Sequence, residues 1–105
     1  MKDAGYLLNL IKTAPTAENF LNLSLAYYQA EMYYKCIEAC KKSLAIKPDY
    51  ALAYNNICSS LNKLGEWDKA IEAGKMALKI DPNGQLAKNN LKSAYQHAYS
   101  DEIDQ

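Results

Sequence analysis

The sequence has no surplus of either charge. Lys and Arg together number 12 and Asp and Glu number 12, for a formal net charge of zero. Phosphate backbones are bound by basic surfaces that displace counterions, so nucleic acid is disfavoured as a partner. No apolar run approaches the roughly 20 residues of a membrane span. The opening Met1-Lys2-Asp3-Ala4-Gly5 carries an acid and is soon interrupted by Asn9 and Lys12, unlike a secretory signal, which favours the cytoplasm. Gly numbers 4 and Pro 3, too few for linkers or low-complexity sequence. The three cysteines, Cys36, Cys40 and Cys58, form no CxxC pair. They are expected as small, buried packing residues rather than as a disulfide framework or a metal site. His97 is the single histidine, and the four glycines are isolated, so no phosphate-binding loop is present. Catalysis needs a nucleophile with a base in reach, a metal, or paired acids in a cleft. No enzyme activity, cofactor or metal is therefore expected.

What the sequence does hold is a repeat. Residues 17–50 align with 51–84 at a period of 34, with ten identical positions, among them Asn22/Asn56, Ile37/Ile71, Ala39/Ala73, Leu44/Leu78 and Pro48/Pro82. A third copy begins at Gln85 and runs out at the C-terminus. Within each unit, apolar residues recur at i, i+3, i+4 and i+7, which is one helical face. Phe20, Leu23, Ser24 and Tyr27 form the first such face, and Tyr33, Cys36, Ile37 and Cys40 begin the second. Gly65 breaks the chain between the helices of the second unit, and Pro48 and Pro82 end the second helix of each. Asp49 and Asn83 are expected to cap the helices that follow. The helices are expected at about 3–13, 17–30, 33–46, 51–64, 67–80 and 85–99. The chain thus reads as a single all-α domain. Residues 1–16 hold a leading helix, 17–50 and 51–84 two full repeats, 85–99 a polar capping half repeat, and 100–105 an acidic tail that frays.

This pattern resembles the tetratricopeptide repeat, whose signature runs W-x2-L-G-x2-Y, then A-x3-F, then P. The first unit places Phe20, Leu23, Ser24, Tyr27, Cys36, Cys40, Ser43 and Pro48 at those positions. The second places Tyr54, Ile57, Cys58, Leu61, Ala70, Gly74, Ala77 and Pro82 there. The resemblance implies a right-handed α-solenoid of antiparallel helix pairs. It also implies a concave groove lined by the first helix of each unit, where such solenoids hold extended peptides.

The expected groove residues are Asn22, Leu25 and Tyr28 from the first unit, Asn55, Asn56, Ser59, Asn62 and Lys63 from the second, and Asn89 and Asn90 from the third. Leu21 and Leu52 extend an apolar patch at one end. Asn22, Asn56 and Asn90 recur at the full period. An amide carries donors and an acceptor, so a row of them can pair with an extended backbone whatever its sequence. The arrangement is similar to the asparagine ladder of O-linked N-acetylglucosamine transferase superhelices. The carboxylate clamp of chaperone-binding tetratricopeptide domains requires Lys and Asn where this chain has Leu21 and Leu25, so that mode is not expected. The expected function is a non-catalytic module for a protein or extended peptide. The alternative is a structural or self-associating segment, including a homodimer, of a larger superhelix attached to a glycosyltransferase-like parent.

Overall fold

The computed structural model describes residues 3–103, with side chains through residue 100. The helices are α1 (Ala4–Thr13), α2 (Ala17–Gln29), α3 (Tyr33–Ile46), α4 (Ala51–Lys63), α5 (Trp67–Ile80) and α6 (Gln85–Ile103), and no strand occurs among the described residues. Consecutive helices pack side by side, with α2 closest to α3 and α4 closest to α5. The stack is elongated, 50 × 26 × 21 Å. That shape follows from the repeat, because each helix pair contacts only its neighbours.

Local chemistry sets the helix ends. Asp3 caps α1 by accepting from the Tyr6 amide at 2.9 Å, and Thr16 caps α2 by accepting from the Asn19 amide at 3.1 Å. Asn19 turns back to donate to the Ala14 carbonyl at 2.8 Å, fixing the α1–α2 corner around Pro15. The expected caps Asp49 and Asn83 are not caps. Tyr50 occupies the α4 cap position without a side-chain bond, and its carbonyl takes the first helical bonds. Lys47 lies 4.5 Å from the Tyr50 ring centroid, which stabilises this position by a cation–π contact. Before α6, Asp81 accepts from the Asn83 amide at 3.3 Å, so Asn83 is the held residue of a turn. The tail does not begin where expected either: α6 runs on through Ile103, while residues 104–105 lie outside the described residues.

Two apolar clusters hold the stack together. The larger joins Leu21, Cys36, Cys40, Ala53, Ile57, Cys58, Leu61, Ala70 and Ile71, with Ala94 from α6. The smaller sets Leu7 of α1 against Leu23 and Ala39, with Ala4, Leu10 and Ile11 around them. The leading helix therefore closes one end of the stack, while its Tyr6 is exposed. Small residues permit the close helix approach. A Cβ on Gly74 would stand 3.1 Å from Leu91 Cβ and 3.3 Å from Cys58 Sγ. Ser43 is wholly buried and donates to the Ala17 carbonyl at 2.8 Å, tying α3 to the start of α2.

Candidate interaction groove

The first helices of the repeats, α2, α4 and α6, lie next to one another along the stack. Where the C-terminal halves of α2 and α4 meet the middle of α6, a depression of about 440 Å³ is lined by Tyr28, Ser59, Asn62, Lys63, Trp67, Asn90, Ser93 and His97. Five of the ten expected groove residues lie here: Tyr28, Ser59, Asn62, Lys63 and Asn90. Toward the N-terminal ends of α4 and α6 a second, more apolar hollow of about 180 Å³ is lined by Ala51, Leu52, Asn55, Ala77, Leu86 and Ala87, together with Asp81, Gly84 and Gln85. Asn22, Leu25, Asn56 and Asn89 line neither.

The three periodic asparagines are not equivalent. Asn22 is exposed. Asn56 is half-buried and donates to Ser24 Oγ at 3.2 Å, while Ser24 itself donates to the Leu21 carbonyl. Asn90 donates to Asn55 Oδ1 at 2.8 Å and Ser59 Oγ at 2.7 Å. Asn62 donates to the Asn90 carbonyl at 3.0 Å, and its own Oδ1 is buried without a partner. The amide nitrogens of Asn56 and Asn90 thus stitch neighbouring first helices together. Their side-chain oxygens take no part in these bonds.

Two expected positions are inside the fold. Leu21 is in the core, 6% exposed, and Asn55 is 7% exposed. Position 5 of each unit turns toward the next first helix, so it is covered wherever another helix follows. Asn89, on the last such helix, is exposed and accepts from Gln85 at 3.0 Å. Leu25 and Leu52 do face water, at 41% and 52% exposed.

The repeat position of His97 puts it on the groove side of α6, but sequence reasoning missed that Trp67, at the start of α5, walls the same depression. His97 lies flat on Trp67, with ring centroids 4.5 Å apart and planes 15° from parallel. Its Nδ1 is 2.8 Å from the Ser93 carbonyl, which can only accept, so Nδ1 carries the proton. The signal was present: position 13 of one unit comes beside the start of the preceding unit's second helix. Tyr28, which also lines the depression, meets Tyr33 edge-on with ring centroids 5.5 Å apart.

The cysteines are fully buried and unpaired by disulfide. A hydrogen bond from Cys40 draws Cys36 down to about 7, and the same bond pushes Cys40 far up. Burial raises Cys58 to about 11. Among the described residues no group of three His, Cys, Asp or Glu side chains could hold a metal ion. No helix among them is long and apolar enough to cross a membrane.

No protein-family model matches the chain, and no curated protein sequence does. Solved structures do. The first TPR domain of human RPAP3 superposes with a TM-score of 0.89 at 19% identity, covering 97% of this chain and 81% of that one. The second TPR domain of human RPAP3, solved with the HSP70 peptide SGPTIEEVD, gives 0.82 at 17% identity over 88% and 78%. The MamA protein gives 0.83 at 26% identity, over 90% of this chain and 52% of that one. These likenesses establish the architecture: an all-α solenoid of tetratricopeptide-like repeats.

Proposed function

We propose that this chain is a non-catalytic interaction module that holds an extended peptide or protein segment against α2, α4 and α6. The observation that carries this reading is the open 440 Å³ depression, walled by side-chain amides, hydroxyls and an aromatic stack. Pockets that bind segments specifically combine apolar walls with a few placed polar groups. The peptide held by the similar RPAP3 domain supports the same use of the fold here. The binding residues are Tyr28, Ser59, Asn62, Lys63 and Asn90, with Asn22, Leu25, Asn55, Asn56 and Asn89 along the rest of the groove. The asparagine row acts as a half ladder: Asn22 offers a whole amide, and Asn56 and Asn90 offer acceptors to backbone N–H groups.

The test is selection of peptides from a random twelve-residue display library on the immobilised chain. Enriched sequences should lose binding at least tenfold to Ser93→Arg, which fills the depression with a long side chain. Enrichment of nothing, or equal capture by the variant, would sink the reading. A second reading, self-association through the groove, is favoured by exposed Leu25, Leu52 and Leu86. Sedimentation equilibrium decides it, since a monomer at high concentration excludes it.

A further inference from the structure

The two hollows belong to one seam, and its chemistry is polar in the directional sense. Leu52 and Lys63 stand eleven residues apart on α4, and Leu86 and His97 stand eleven apart on α6. Eleven steps of about 100° return to within about 20° of the starting direction, so each pair lies on one line along its helix. Both helices therefore present the same order. An exposed leucine stands at the N-terminal end, 52% exposed on α4 and 65% on α6, and eleven residues on stands a cation at the end of α4 or an imidazole in the second half of α6. α2 breaks the pattern, with Glu18 and Gln29 at the corresponding positions. The feature is thus confined to the seam between α4 and α6. Between its ends, the Asn55–Asn90–Ser59 hydrogen bonds close the floor.

Resting on the groove reading above, we infer that the seam takes an extended segment in line with α4 and α6, with an aliphatic side chain between Leu52 and Leu86 and a side-chain carboxylate at Lys63. The lower hollow is mostly apolar, lined by Ala51, Ala77 and Ala87 beneath the two leucines, and its charged lining residue is Asp81, which repels an acid rather than meeting one. The upper depression has no carboxylate in its lining, and Lys63 is its formal charge. Eleven residues of helix rise about 16 Å. An extended chain covers that in about five residues. The spacing between aliphatic anchor and acid is therefore about five. The acid belongs to a side chain rather than to a chain end, because α6 continues past His97 through Ile103 and the bound segment runs on beside it.

The library is displayed with its C-terminus fused, so that no free carboxylate is offered. Enriched sequences should pair Leu, Ile, Val or Met with Asp or Glu about five positions away. For a synthetic peptide of that kind, with an amidated end, Leu86→Ser should weaken binding about tenfold, as loss of one buried leucine contact does. Lys63→Ala should weaken it about threefold to fivefold at low salt. That second effect should vanish when the peptide acid is replaced by its amide. Both substitutions are at exposed positions, so folding is preserved. Enrichment without the spacing, or indifference to both substitutions, overturns this inference and leaves the groove reading standing. Binding recovered only with free C-terminal ends overturns the side-chain source. Enrichment of nothing removes the groove reading and this inference together.

Discussion

Asn22, Asn56 and Asn90 share a residue type, a repeat position and a helix face, yet the fold uses them differently. An amide at this position of any unit but the first has a preceding first helix to bond. Asn90 has two bonds there, to Asn55 and Ser59. Removing it leaves the buried Asn55 oxygen without a donor. An unpaired buried polar atom costs about 1–3 kcal/mol. Asn90→Ala should therefore lower the free energy of unfolding by that amount in urea. Asn22→Ala, at an exposed site, should change it by less than about 0.5 kcal/mol. Equal effects would mean that the three asparagines act as one row. This is also where sequence reading stops. Periodicity identifies the face a side chain is on, but not which of its atoms are already bonded across to the next helix.

At the scale of elements, the two repeats solve one turn in two ways. Gly65 joins α4 to α5 at φ 74°, and its counterpart 34 residues earlier, Glu31, joins α2 to α3 at φ 61°. The hydrogen bonds match: Met32 N to Tyr27 O at 2.8 Å, and Glu66 N to Leu61 O at 2.9 Å. Left-handed backbone costs a residue with a Cβ about 1 kcal/mol or more, and glycine almost nothing. Glu31→Gly should accordingly raise stability by about 1 kcal/mol, read as a higher urea midpoint with an unchanged slope. A lower midpoint would show that the added freedom of the unfolded chain outweighs the relieved strain. Element positions were legible because punctuation and periodicity agreed: Pro48, Pro82 and Gly65 fall where helices end, and five of six helix starts lie where the apolar pattern puts them, with α1 one residue later. The caps were misread at Asp49 and Asn83 for a physical reason. Both stand beside a proline in a turn, one residue too early for their oxygens to serve the helix that follows. Helix spacing also sets Glu66 beside Lys69, Glu72 beside Lys75 and Glu38 beside Lys41, and the first two pair at 3.2 and 3.8 Å while the third does not. Such exposed pairs contribute little, so the pattern had little energy behind it to enforce them.

For the whole molecule, a stack this short has ends that differ from its middle. Cys36 and Cys40 lie between the first and second repeats, whereas Cys58 lies against Gly74 of α5, on which Leu91 of α6 packs. α6 is the least covered of the long helices, with Lys88 and Lys92 exposed where the inner first helices carry an aromatic and a small residue. In repeat arrays the terminal unit opens most readily. Timed alkylation with iodoacetamide at pH 8, read by mass spectrometry, should therefore modify Cys58 before Cys36 and Cys40. The native thiols argue for the opposite order, since Cys36 is drawn down to about 7 and Cys58 raised to about 11. Access decides between them. With each cysteine 0% exposed, reagent meets only opened chain, where the thiol has its ordinary value of about 8.5. The labelling rate of Cys36 should hence keep climbing between pH 7 and 8.5, as the opened thiol ionises. A rate that levels off just above pH 7, or labelling of Cys36 ahead of Cys58, would mean that reagent reaches the folded interface between the repeats.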